Sequence, residues 1–312
     1  MRTRIPPERN PRRRALSLVL VAGSLVLLSS CHPGNKEAKR LTRSCATGDA
    51  TACNQLGLKL LKGEYVLRDE TRAASVFKQA CDGRVAAGCT SLGTLHQDAR
   101  GVQRDSALAL SLHKQGCELG AMSGCTRLGM LYQQGAGVTQ DIARAVALFQ
   151  QACDAGDMAG CAQLGTLYVN GEGVTPDIAR ASDLFQRSCN AKISLGCLGL
   201  GRLHALGNVV AKNDSIAAEL FKQACDGNEV AGCFHLGVIH EDGRGVTQNF
   251  QRAAELYREA CEDRHAEACF KMAGLYEKGA GVYRQPERAA AMMRRACQLG
   301  HKPACPQQPK AS

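Results

Sequence analysis

Sixteen of the seventeen cysteines in this 312-residue chain form eight Cys-x7-Cys pairs: 45/53, 81/89, 117/125, 153/161, 189/197, 225/233, 261/269 and 297/305. Each pair begins 36 residues after the one before it. Thiols can ligate a metal or oxidise. Structural zinc ligands come in tighter knuckles such as Cys-x2-Cys, so metal binding is a poor account of this spacing. In an exported chain, equally spaced pairs read as eight local disulfides. Each closes a small loop, which on the chain-entropy model stabilises by roughly 2–3 kcal/mol.

Export is read from the amino terminus. Arg2, Arg4, Arg9, Arg12, Arg13 and Arg14 precede an apolar run from Ala15 to Leu28. That run is too short to span a bilayer comfortably but suits a secretory signal. It ends in Leu28-Ser29-Ser30-Cys31, which resembles the bacterial lipobox. The resemblance implies cleavage before Cys31 and acylation of its thiol and new amino group. Beyond the arginine pair the twin-arginine motif is missing, so export by the Sec route is expected. His32, rather than Asp, follows the cysteine, which favours the outer membrane or periplasm of a bacterial envelope. The expected divisions are a signal peptide at 1–30, lipidated Cys31 with a linker at 31–44, the repeats at 45–305 and a tail at 306–312. Without the signal, 33 basic residues face 28 acidic ones, about +5 instead of +10. With that small excess, 4% aromatics and no Trp, a nucleic-acid partner is not expected.

Other reactive residues dissolve into the repeat. Ser75/Lys78 and Ser111/Lys114 are Ser-x-x-Lys tetrads, but later repeats place Glu219/Lys222 and Glu255/Arg258 there, a solvated charge pair. The Ser-Asp-Asn and Lys-Thr-Gly elements that accompany a serine β-lactamase tetrad are absent. His96, His204 and His240 stand where Tyr132, Tyr168 and Tyr276 do, as partly buried substitutes. Adding His235 to His204 and His240 would make a transition-metal set, yet no carboxylate or spacing pins it. The Gly-x-Gly-Val loops at Gly135, Gly171, Gly243 and Gly279 follow helices, so they are turns rather than phosphate cradles. No metal and no cofactor is expected, and no catalytic residue is assigned.

The elements behind this period are two helices per repeat. Cys161, Leu164, Gly165 and Tyr168 fall at i, i+3, i+4 and i+7, an amphipathic stripe. Gly165 recurs as Gly57, Gly93, Gly129, Gly201 and Gly237. Glycine costs a helix about 1 kcal/mol, so its recurrence implies a neighbour packed too close for a side chain. A second helix is expected to start at Thr175-Pro176-Asp177, with Thr175 as N-cap, and to bury Ala181, Leu184, Phe185 and Ser188. Gly156 suits the helix end that follows Cys153. Each disulfide then joins a second helix to the next first helix.

Gly160-Cys161, Leu164-Gly165, Leu167-Tyr168, Gly171, Gly173-Val174, Asp177, Arg180-Ala181, Leu184-Phe185 and Cys189 resemble the Sel1-like repeat (SLR) family. Among its members they are most similar to the cysteine-rich Hcp-type branch, often labelled Hcp β-lactamases. The likeness covers residues 45–305. It implies an all-α, right-handed α/α superhelical solenoid of about seven 36-residue repeats, with a disulfide at each junction and a concave face that binds partners. It also implies penicillin binding or weak β-lactamase activity. Departures are local: Lys59 replaces Leu, Tyr65 and Val209 replace the second loop glycine, and His113 replaces Phe.

The varying positions point to binding. Gln163, Thr166 and Asn170 form one stripe opposite the buried residues of the first helix. Across repeats the stripe reads Gln55/Leu58/Lys62, Ser91/Thr94/Asp98, Arg127/Met130/Gln134, Gly199/Arg202/Leu206, His235/Val238/Asp242 and Lys271/Gly274/Lys278. In solenoids such a stripe lines the concave groove. The expected groove residues are Arg127, Met130, Gln163, Thr166, Arg202, His235, Val238 and Lys271. The expected partner is a protein, a peptide or a peptidoglycan component, with the membrane engaged through the lipid anchor.

Overall fold

The computed structural model describes residues 33–207 and 211–305. The segment expected to be a signal at 1–30, together with Cys31, Val209 and 306–312, lies outside the described residues. Those described hold fifteen α-helices, a final 3-10 turn and no strand. In order they are α1 (Pro33–Ala46), α2 (Ala50–Lys62), α3 (Glu70–Asp82), α4 (Ala86–Asp98), α5 (Ser106–Glu118), α6 (Met122–Gln134), α7 (Ile142–Asp154), α8 (Met158–Asn170), α9 (Ile178–Asn190), α10 (Ser194–Leu206), α11 (Asp214–Asp226), α12 (Val230–Asp242), α13 (Phe250–Glu262), α14 (Ala266–Lys278) and α15 (Pro286–Gln298). The chain divides into two compact units, Met1–Gly124 and Cys125–Ser312. Within each, consecutive helices pack against one another, as an α-solenoid requires.

The repeat is built by size matching. The first-helix glycines Gly57, Gly129, Gly165, Gly201 and Gly237 abut the rings of Phe77, Phe149, Phe185, Phe221 and Tyr257 on the following second helix. A Cβ on Gly165 would lie 2.8 Å from the Phe185 ring. The expected close neighbour is therefore this aromatic side chain. His113 occupies the same slot in the first unit, fully buried against Gly93, with Nε2 3.3 Å from Gln97 Oε1.

One helix start differs from expectation. The second helix of the fourth repeat begins at Ile178 with Asp177 as N-cap, not at Thr175. The Asp177 carboxylate accepts from the Arg180 N–H at 2.9 Å. Asp69, Asp105, Asp141, Asn213 and Asn249 cap α3, α5, α7, α11 and α13 in the same way. The short side chain of Asp or Asn satisfies an orphan N–H, and Pro176 stays in the preceding loop against Gly171. Gly156 lies just past the end of α7 at φ 89°, the left-handed conformation expected there.

Disulfides join Cys45–Cys53, Cys81–Cys89, Cys153–Cys161, Cys189–Cys197, Cys225–Cys233, Cys261–Cys269 and Cys297–Cys305. Cys117 and Cys125 are disulfide-bonded as well. The Cys153–Cys161 bond links α7 to α8, a second helix to the next first helix. Such a set of bonds suits an oxidising compartment.

The segment read as a linker is helical from Pro33 onward. α1 buries Ala38, Leu41 and Cys45 at i, i+3 and i+7, so it serves as the second helix of a preceding half-repeat. Its junction repeats the others with sizes exchanged. Elsewhere in the first unit the loop glycine Gly101 packs on the backbone of Glu70 at a helix start. Here the loop residue is Tyr65, and its ring lies over Gly34 at the start of α1. Lys59, which replaces a leucine, pairs with Glu37 of α1 at 3.4 Å.

Candidate functional site

The first-helix stripe of the second unit is nowhere buried. On that side α8 touches α10 and α10 touches α12, so these three first helices form one layer. Met130 and Val238 are half-buried and pack against the core. Gln163 is half-buried, and Thr166 Oγ1 donates to the Ala162 carbonyl at 3.1 Å. Arg127 is half-buried and Arg202 exposed. Gly274 has nothing within 4 Å of where its Cβ would stand, so no packing within the chain demands a glycine there.

The structure concentrates chemistry around His235. Its ring stacks on Phe221 of α11 at 5.0 Å and tilts against Phe234 at 5.3 Å. Phe234 stacks on His265 at 4.5 Å, so one phenyl ring separates two imidazoles. Burial pushes the His235 pKa down to about 4, with Arg202, His265 and Arg244 adding repulsion. Burial also lowers that of His265. His265 Nδ1 accepts the Ala268 N–H at 3.2 Å, which fixes that nitrogen as unprotonated.

Beside them, Glu241 Oε2 accepts from the Tyr257 hydroxyl at 2.6 Å and from Lys271 Nζ at 3.0 Å. Tyr257 is held neutral, its pKa raised by burial and by that carboxylate. Lys271 is therefore anchored and its charge offset, whereas Arg202 has no ion-pair partner among the described residues. Periodicity marked His235, Lys271 and Arg202. It did not mark Phe234 and Glu241, which share α12 with His235, nor Phe221 of α11, Tyr257 of α13 and His265 at the start of α14.

This environment has an acid signature. The folded pKa of His235 is about 4 against an ordinary 6.5. Between those values the unfolded chain binds a proton that the folded chain refuses, so stability falls as pH drops through that window. The loss from this group is of order 2–3 kcal/mol by pH 4. His235→Gln should flatten the fall in Tm between neutral pH and pH 4; an identical acid slope in variant and parent would remove His235 as its cause.

The remaining sequence candidates separate. Ser75 and Ser111 are exposed; Lys78 donates to Asp82 at 2.7 Å, and Lys114 lies 3.8 Å from Glu118. Neither tetrad is assembled as a nucleophile and base. Among the described residues, Cys225, Cys233 and Glu259 come together as potential metal ligands, but both thiols are consumed in a disulfide.

The tyrosine positions carry a signal not read from the sequence. Arg144, Arg180 and Arg288 stack over Tyr132, Tyr168 and Tyr276 at 5.3, 4.8 and 5.9 Å. Where the ring is His96 or His204, the arginine position holds Leu108 or Ile216, both exposed. In the first unit, this exchange accompanies an apolar cleft of about 540 Å³, bordered by His96, Leu92, Leu108, Leu112 and Val102.

Helix pairs with a fixed core and a varied exposed stripe define an α-helical repeat scaffold, an architecture suited to protein–protein interaction. The Sel1 repeat model matches residues 50–84, 86–120, 123–157, 159–192, 194–229, 230–265 and 266–301, and the chain belongs to that family. A protective antigen of uropathogenic Escherichia coli with an SLR fold is similar at 28% identity and TM-score 0.56; the match covers 85% of this chain and 57% of the antigen. This chain thus spans little more than half the length of that relative. A Sel1 repeat protein from Oxalobacter formigenes aligns with TM-score 0.63 at 18% identity, over 83% of this chain and 98% of its own. Helicobacter pylori cysteine-rich protein B is 27% identical over 42% of this chain and 93% of its own, with TM-score 0.35. No curated protein matches the sequence.

Proposed function

We propose that the protein is a lipid-anchored scaffold of the bacterial envelope that binds a protein or peptide partner along the first-helix stripe of its second unit. The observation that carries this reading is the contrast between recurring packing positions and a stripe, half-buried to exposed, whose chemistry changes at every repeat. Arg202, uncompensated and beside a neutral His235, gives that stripe a site for an anionic group. Anchoring rests on the lipobox-like Leu28-Ser29-Ser30-Cys31, and export fits the disulfides. Penicillin binding rests on the resemblance to the cysteine-rich branch alone.

Charge reversal tests the stripe. Arg127→Glu with Arg202→Glu should weaken crosslinking to the envelope partner at least tenfold, about 1.4 kcal/mol, with an unchanged melting curve. Equal partner capture by variant and parent in quantitative mass spectrometry would remove the stripe as the binding surface.

A further inference from the structure

α1 has a face that the repeat does not use. Ala38, Leu41 and Cys45 point into the first unit. At 3.6 residues per turn, Lys36, Lys39, Arg40 and Arg43 fall within about 100° of one another, centred opposite that buried side. All four are exposed, and none has a salt-bridge partner among the described residues. The one acidic residue of the helix, Glu37, is drawn sideways to Lys59. The outward face therefore carries four uncompensated positive charges along a helix of 14 residues, about 20 Å.

Its position in the chain says what such a face meets. Cys31 precedes Pro33 by two residues, and two peptide units reach about 7 Å. The linker expected between the anchor and the folded chain is instead this helix. A lipid attached at Cys31 would bring the start of α1 to the membrane surface, where a basic face adds electrostatic attraction to anionic headgroups.

We propose that the Lys36, Lys39, Arg40 and Arg43 face of α1 docks on an anionic phospholipid surface, so that the first unit is held against the membrane by a charged helix as well as by a lipid. The helix lies along the bilayer plane, with its apolar side retained by the repeat. This docking rests on the reading of Cys31 as the anchor for its location in the cell. The face itself stands on geometry and charge.

The test uses the oxidised chain from residue 31 onward, which retains every described helix, with Cys31→Ser to exclude acylation. It is sedimented with vesicles of phosphatidylcholine, with and without phosphatidylglycerol. Preferential binding to the anionic vesicles, lost as salt rises, is expected. Each cation near such a surface contributes about fivefold, so Lys36→Gln, Lys39→Gln, Arg40→Gln and Arg43→Gln together should weaken binding by nearly three orders of magnitude. A second variant, Arg72→Gln, Arg104→Gln, Arg258→Gln and Lys302→Gln, removes the same charge elsewhere and should bind like the parent.

Binding without preference for the anionic vesicles, an unaffected α1 variant or an equal loss in the second variant would each overturn the proposal. Fatty-acid labelling of the full chain tests Cys31 separately. Absent labelling with retained vesicle binding would sink the anchor and leave the face standing.

Discussion

Complete reduction of the oxidised chain is expected to unfold its repeats under conditions in which the oxidised form is fully native. Each disulfide joins cysteines eight apart in sequence, a loop whose closure is worth about 2.5 kcal/mol on the chain-entropy model. Seven such closures exceed the net stability of an ordinary domain, about 5–15 kcal/mol. The loss should also be ordered. Cys45, Cys53, Cys81, Cys89 and the cysteines of the four pairs from Cys153 to Cys269 are all buried. Later side chains lean on some of these bonds: Gln79 Oε1 lies 3.5 Å from the sulfurs of Cys45 and Cys53, and Gln115 Oε1 lies 3.4 Å from that of Cys81. Cys297 and Cys305 are only half-buried. Stepwise reduction followed by alkylation and peptide mass spectrometry should label Cys297 and Cys305 first. Labelling of Cys161 or Cys197 before them would contradict this order.

The disulfides were legible in the sequence because the cysteine period is itself the repeat period, and each bond is local. The glycine–aromatic contact was half legible. Recurrence at Gly165 showed that something approaches, but naming Phe185 required the crossing of two helices. The start of α9 was misplaced because Thr-Pro resembles a helix start, whereas the recurring Asp or Asn two residues later supplies the cap. α1 reads as a linker in the sequence because no first helix of its own repeat precedes it among the described residues. Its Ala38, Leu41 and Cys45 nevertheless stand one period before Ala74, Phe77 and Cys81. The surroundings of His235 were not legible at all. Phe221 reaches it from the preceding repeat, and His265 stacks on the far side of Phe234 from the loop before α14; a one-helix periodicity carries no information about which side chains meet across helices.

Two glycine-to-alanine substitutions should move stability in opposite directions. Gly245 sits at φ 69°, and a Cβ there would lie 2.4 Å from the Asp214 carbonyl carbon and the Ser215 nitrogen at the start of α11. Alanine would carry a left-handed conformation that costs an L-residue about 1–2 kcal/mol. It would also push on backbone that cannot rotate away, as overpacking does at about 1–3 kcal/mol. The Ser215 hydroxyl bond to the Gly245 carbonyl, 2.8 Å long, would be displaced with the loop. Gly245→Ala should therefore cost about 2–5 kcal/mol and lower the Tm of the second unit. Gly274 lies inside α14, with nothing within 4 Å of its Cβ position. Alanine there removes only the conformational freedom of glycine and should stabilise by up to about 1 kcal/mol. Circular-dichroism melts of the two oxidised variants decide both signs. The Gly274→Ala chain then serves a second use. It is a more stable protein whose stripe has gained one methyl group, so weaker crosslinking to the proposed partner in that variant would mean that such a partner reaches the backbone of α14 itself. Undiminished crosslinking would confine its contacts to the side chains around Arg202 and His235.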